Sequence, residues 1–389
     1  MSLLEQIKNI VSDFHLEKGG KHLSLLNIII ITILSFYLIL FIGCSKKSNP
    51  VAPVVTGKWT YCQGLPNDLH ITGFAASGNN IVAGTFSAGA SKAYIYISFD
   101  NGAIWSLDTT FSVDTKSKYT HLFSGAPVTF LNYGGYFFAG IGGAYRGAIF
   151  RSIDNGITWS DKGITWPEND SSFSEDINCF STIGTNIFAG TEHGVFKSTD
   201  LGASWVTVNN GFPIYPSTGW PPQALHMVSN GTDLFVGGTS GDCIFLSTNS
   251  AANWTAVNTG LPNSPHIYGL ETTGSKVFAG IFNYGVYVTT DNGSSWSAVN
   301  NGLISYTING QAVFPVDALA SYGNYLFAGT NYGLCVSTNI GTTWNNISAG
   351  TPIDSTVIGT IAVINSQLFA GYYGAWRYPV AALPALIKK

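Results

Sequence analysis

The string apolar-apolar-Ala-Gly returns seven times along this chain of 389 residues, and no other feature restricts the fold as tightly. The copies end at Gly84, Gly140, Gly190, Gly237 (with Val236 in place of the alanine), Gly280, Gly329 and Gly371. They recur about every 46 residues, the length of one four-stranded propeller blade. A unit of that size cannot bury both faces of its own sheet, so the units must stack on one another. Composition agrees: 45 glycines, 14% aromatic residues and only 10% charged ones describe many short strands joined by tight turns, and exclude a disordered or coiled-coil chain. The expectation is all-β: a seven-bladed β-propeller of four-stranded antiparallel blades.

A second motif, S-x-D-x-G-x-x-W, follows each of the first six copies. It reads Ser98, Asp100, Gly102, Trp105, then Ser152, Asp154, Gly156, Trp159, then Ser198, Asp200, Gly202, Trp205. Worn copies stand at Ser247, Asn249, Trp254, at Thr289, Asp291, Gly293, Trp296, and at Ser337, Asn339, Gly341, Trp344. An aspartate at a hairpin turn accepts hydrogen bonds from the turn's N–H groups, glycine takes φ > 0, and tryptophan packs a large apolar face between sheets. The motif closely resembles the Asp-box, or BNR repeat, of sialidase-like β-propellers, and the resemblance covers nearly the whole chain after residue 56. It implies that the box residues staple turns and do no chemistry, and that these turns lie opposite the binding funnel.

The seventh copy has no box after it. Gly57-Lys58-Trp59-Thr60-Tyr61 with Gly64-Leu65-Pro66 matches Trp254-Thr255 with Gly260-Leu261-Pro262, so 57–63 is expected to supply the outer strand of the seventh blade, with Trp59 as its missing tryptophan. Closing the ring in this way removes the unpaired sheet edges of an open array. The expected organisation is a membrane segment at 1–43, a tether at 44–56, the propeller at 57–380 and a tail at 381–389.

Ser24 to Gly43 is a run of 20 residues without a charge, and as a helix rising about 1.5 Å per residue it spans about 30 Å of hydrocarbon. Phe41-Ile42-Gly43-Cys44 and the polar stretch Ser45 to Pro50 follow. This resembles the lipobox and tether of bacterial lipoproteins, which implies signal removal and lipidation of Cys44; the other reading is an uncleaved signal anchor. Either way the lipid bilayer is a partner, through Cys44 or the 24–43 helix, and the remainder lies outside the cytoplasm, in a bacterial cell envelope. Cys62, Cys179, Cys243 and Cys335 are dispersed among apolar neighbours and read as small buried hydrophobes.

Three arginines (Arg146, Arg151, Arg377) and a net charge of −4 leave no footprint for nucleic acid. Aligning the turn residues after six of the inner strands (Gly78, Gly184, Gly231, Gly274, Gly323 and, in the last unit, Asn365) puts an apolar residue four positions earlier in each, Phe74, Phe180, Met227, Leu270, Leu319 and Ile361, as core. Six and eight positions earlier stand His70, Asp176, His266, Tyr268 and Asp317, at the mouth of the central channel. By the period-2 rule these two positions share a face. The turns between second and third strands add Tyr284, Tyr332 and Tyr373 on the same side. An aromatic rim over a floor of His and Asp suits a glycan or an extended segment of an envelope protein. Sialidases hold their substrate's carboxylate with three arginines from different blades, and no inner strand here carries one. A non-catalytic binding or assembly module, monomeric and without metal or other cofactor, is therefore the expected function; the alternative is a glycoside hydrolase of the Asp-box class. The chain also resembles photosystem II assembly and stability factors, which implies the same fold and tethering but not their basic partner patch.

Overall fold

A computed structural model describes residues 57–87, 92–109, 125–143, 148–161, 176–216, 218–238 and 244–387. Seven four-stranded antiparallel sheets account for nearly all of it. Blade 1 starts with the inner strand His70–Ser77, blade 2 with Gly125–Tyr133, blade 3 with Ile177–Ile183 and blade 4 with His226–Asn230. Blades 5, 6 and 7 start with Ile267–Thr273, Val316–Tyr322 and Thr360–Ile364. In each blade the chain meanders outward through adjacent strands, so every apolar-Ala-Gly string is a second strand, buried between two neighbours. The inner strands of successive blades touch around the whole circle, blade 7 against blade 1 included. The chain is a seven-bladed β-propeller.

Closure works through the N-terminal strand. Thr60 and Tyr61 pair antiparallel with Arg377 and Trp376 as the fourth strand of blade 7, and the Cys62 amide donates to the Ala375 carbonyl at 3.0 Å. Trp59 is buried between blades 6 and 7 and meets Tyr378 with ring centroids 5.1 Å apart. Beyond the last strand, the segment read as a tail forms a 3-10 turn at Val380–Ala382 and a short helix at Leu383–Ile387, and Leu383 is buried in the same cluster as Trp59.

The repeated glycine of the second strand has a packing reason. A Cβ on Gly190 would sit 2.5 Å from the Ala224 carbonyl, one on Gly329 2.2 Å from the Ile358 carbonyl, and one on Gly280 2.9 Å from the Val316 side chain. In each case the obstructing residue belongs to the next blade, so the missing side chain is what lets two sheets approach.

The box turns hold the opposite side of blades 1 to 6. In the first box the Ser98 hydroxyl donates to Asp100 at 2.8 Å, while the amides of Ala103 and Ile104 donate to the same carboxylate oxygen at 2.9 Å. Thr158, Ser204, Asn253, Ser295 and Thr343 repeat the amide contact to Asp154, Asp200, Asn249, Asp291 and Asn339. The tryptophans reach back one blade: the indole N–H of Trp254 donates to Val208, that of Trp296 to Val257 and that of Trp344 to Val299, all backbone carbonyls, and that of Trp159 donates to the Asp108 carboxylate. Trp105 instead bonds the Gly102 carbonyl of its own turn, and the Trp205 indole has no acceptor. Cys62 and Cys335 are buried free thiols and Cys179 a half-buried one; Cys243 lies outside the described residues.

The glycine contacts generate a stability prediction. Gly329→Ala forces a methyl into backbone and should cost about 1–3 kcal/mol by overpacking. Gly274→Asn, at a turn with φ of 61° and nothing near its Cβ, should be close to neutral, since Asn365 already fills the equivalent turn of blade 7 at φ 48°. Denaturant midpoints of the two variants check the contrast.

Candidate functional site

A blade turns its inner strand edge-on to the axis, so successive side chains of that strand point at the two neighbouring blades and not into the channel. The residues four before the turn confirm the geometry: Phe74 packs on Phe369 of blade 7, and Phe180 on Phe138 of blade 2. A regular strand would therefore leave the channel lined by backbone. Bulges change this. The pairing register slips between Ile71 and Gly73, between Ile177 and Cys179, between Ile267 and Gly269 and between Val316 and Ala318. The extra residues are Thr72, Asn178, Tyr268 and Asp317, each six positions before its turn glycine, and a bulge re-aims the residue it inserts.

Thr72, Tyr268 and Asp317 line a cavity of about 260 Å³ on the axis, to which six blades contribute. Thr129, His226 and Thr360 also line it, and residues four before the turn, among them Leu270, Leu319 and Ile361, border it where they enter the contacts between blades. Asp317 is half-buried, its Oδ2 accepts no hydrogen bond, and burial raises its carboxyl to about 6. Burial also lowers His226 to about 4, so its ring is neutral at physiological pH. Sequence reasoning missed His226, which stands five before its turn, where other blades carry small residues such as Gly73, Gly269 and Ala318.

The same bulge separates the two positions that period-2 reasoning had placed on one face. His70, Asp176 and His266 do not line the cavity. His70 lies at the rim between blades 1 and 7, its ring 4.3 Å from Tyr372, 4.4 Å from Tyr373 and 6.4 Å from Phe86 between centroids. Asp176 is half-buried just ahead of its strand, and His266 is exposed, its carbonyl accepting the Phe282 amide while Phe282 stacks on Tyr268. Burial, then the charges of Tyr373 and Asp317, raises the Tyr372 hydroxyl, which ties the rim cluster electrostatically to the cavity.

Further round the rim, Tyr284, Tyr332 and Tyr373 are 47%, 44% and 57% exposed on the second-to-third-strand turns of blades 5, 6 and 7. A hairpin between blades 5 and 6, Tyr306–Ile308 with Gln311–Val313, leans Tyr306 against Tyr332 at 5.5 Å. Its Asn309-Gly310 turn has φ of 49° and 79°, a two-residue hairpin signal present in the sequence. The box aspartates lie on the other side of the blades. Hydrogen bonds from the Ser295 hydroxyl and amide and from the Thr289 hydroxyl hold Asp291 down to about 2, the signature of a saturated turn carboxylate.

No protein-family profile and no curated protein matches the chain in sequence. Solved structures do match. YCF48 bound to D1 peptide aligns at a TM-score of 0.57 and 14% identity over 83% of this chain and 94% of its own. The GH74 xyloglucanase of Xanthomonas campestris aligns at 0.57 and 15%, over 82% and 53%. PorZ, a surface component of the type-IX secretion system of Porphyromonas gingivalis, aligns at 0.54 and 13%, over 82% and 48%. What the three share with this chain is the propeller.

Asp317 and His226 predict opposite tilts in stability against pH. The folded protein holds a proton on Asp317 from its ordinary 3.8 up to about 6, so ionisation destabilises the fold as pH rises through that window. His226 binds a proton less readily when folded, so it destabilises as pH falls from 6.5 to about 4. Relative to wild type, Asp317→Asn should gain thermal stability between pH 4 and 6 and keep the gain above it, whereas His226→Gln should gain on acidification. Melting curves over pH 4–8 check both signs.

Proposed function

We propose that the chain is a membrane-tethered, extracytoplasmic propeller that binds a glycan or protein ligand without transforming it. The observation carrying this reading is the arc of exposed tyrosines, Tyr284, Tyr332 and Tyr373, on successive blades of the face opposite the box turns. Aromatic side chains left in water on a rigid rim are the usual furniture of a recognition surface. On the box face, by contrast, the carboxylates are consumed by their own turns. That YCF48 was solved with a peptide bound is in keeping with a propeller that recognises chain segments.

The glycoside hydrolase reading, which a xyloglucanase of the same fold keeps in view, needs two carboxylates about 5–9 Å apart across the scissile bond. Among the described residues lining the axial cavity, Asp317 is the single carboxylate. Glu271 is engaged elsewhere: it accepts hydrogen bonds from the Thr272 amide and the Ser321 hydroxyl, within the contact between blades 5 and 6.

In this reading the anchor is lipidated Cys44 or, left uncleaved, the 24–43 helix, with 44–56 as the tether; all of these lie outside the described residues. Among those described, no helix is long and apolar enough to cross a membrane. Cys44→Ser should abolish both fatty-acid labelling and signal cleavage; a native chain that keeps residues 1–43 and takes up no lipid contradicts lipidation.

An array of envelope glycans and peptides tests the binding itself. Tyr284→Ala and Tyr332→Ala should each weaken the ligand found about three- to tenfold, while Asp200→Ala should lower the melting temperature and leave affinity unchanged. Binding that maps to the box face would contradict the reading, and release of free sugar would make the protein an enzyme.

A further inference from the structure

Asp317 is chemically incomplete. Val316 on one side of it is fully buried against blade 5, packed over Gly280, and Ala318 on the other is buried and re-enters the ladder opposite Gly329. The bulge leaves the carboxylate in the axial cavity with one oxygen buried and no donor on it. The walls offer the Tyr268 ring from blade 5, threonine hydroxyls from blades 1, 2 and 7, and the His226 ring from blade 4. No lysine or arginine is among them.

The chain's described arginines are committed elsewhere. Arg151 donates to the Leu201 carbonyl and lies over the Tyr136 ring, and Arg377 donates to the Asn101 carbonyl. Lys197, too, donates to the Ser250 carbonyl and lies over Phe188. A carboxylate oxygen buried without a donor is a cost to the fold. At the equivalent bulge of blade 3, Asn178 likewise has a buried Nδ2 with no acceptor. Both stand at the inserted residue of a bulge, but Asp317 lines the axial cavity and Asn178 does not.

We propose that the axial cavity receives a cationic side chain, guanidinium or ammonium, from a segment of a partner polypeptide, with the Asp317 carboxylate as its anchor and the Tyr268 ring as its flank. This rests on the binding reading above and narrows it to a polypeptide carrying a positive charge. The volume is in keeping: about 260 Å³ falls below the range of about 300–1,000 Å³ typical of sites for whole small molecules, and a single long side chain enters through its apolar stem. Sign and geometry agree as well. The chain is net negative at −4, a charge-assisted hydrogen bond would engage the Oδ2 lone pairs that no donor reaches, and an aromatic ring beside a cation adds attraction that a neutral ligand does not receive.

The test uses the full-length chain in nanodiscs of zwitterionic lipid, so that the membrane offers no competing charge. The probes are hexapeptides of Gly and Ser with one central residue varied among Arg, Lys, citrulline and Gln, and affinity is read by calorimetry. The arginine peptide should bind about tenfold or more tightly than the citrulline peptide, which keeps its shape and loses its charge. Asp317→Asn, expected to be more stable than wild type, should bind the arginine and citrulline peptides alike. Equal binding of the two peptides by wild type, or a preference for arginine that survives Asp317→Asn, overturns the proposal. If neutral glycans or neutral peptides bind through Tyr284 and Tyr332 with no gain from a cation, the proposal falls and the binding reading stands. If nothing in either set binds that face, both fall.

Discussion

The contact between one blade and the next is the interaction on which the rest of this structure depends. A four-stranded sheet with apolar residues on both faces has no stable existence alone, and here each sheet is covered twice, once by each neighbour. The glycines of five apolar-Ala-Gly strings, Gly140, Gly190, Gly237, Gly280 and Gly329, set the distance, because in their place any side chain would strike the inner strand of the blade that follows or the residues leading into it. The box tryptophans fix the outer end of the same contact, filling the gap between sheets and, in blades 2, 4, 5 and 6, donating to an acceptor in the preceding blade. Inner and outer clamps together leave the rotation from blade to blade little freedom, and seven such steps close.

That economy explains what was legible in the sequence. Residues that serve the interface must recur with the blade, so the glycines, the box aspartates and the tryptophans announced the number of blades, and the lone Trp59 announced how the circle is joined. The mouth of the channel was less legible because it depends on bulges. Alternation assumes one residue per rung, and a single inserted residue at Thr72, Tyr268 or Asp317 turns that side chain out of the interface and shifts the relation of His70 and His266 to it. His226 escaped notice for a related reason: blade 4 enters the ladder without that slip, so the residue at its mouth is out of phase with its counterparts. The hairpin beside Tyr332 was marked by Asn309-Gly310, a signal overshadowed by the longer period around it.

The two sides of the ring differ in what their polar groups are doing. On the box side each carboxylate accepts several hydrogen bonds from its own turn, and this is why Asp291 stays ionised to about pH 2. On the other side Asp317 is held up near 6 by burial alone, and tyrosines stand in water above it. A fold selected for stability alone would have no use for the second arrangement. An acidic oxygen buried without a donor, facing a cavity on the axis, is where function is sought.

The central claim is that interface contacts make one cooperative ring, joined by the strand at Thr60 and Tyr61. Native-state hydrogen exchange of the full-length chain tests it most directly. If the account is right, the Cys62 amide, bonded to Ala375, exchanges only in the same global opening as amides of the second strands of blades 1 and 7. If Cys62 exchanges early while those strands stay protected, the joining strand frays independently, the ring is held without it, and the account is contradicted.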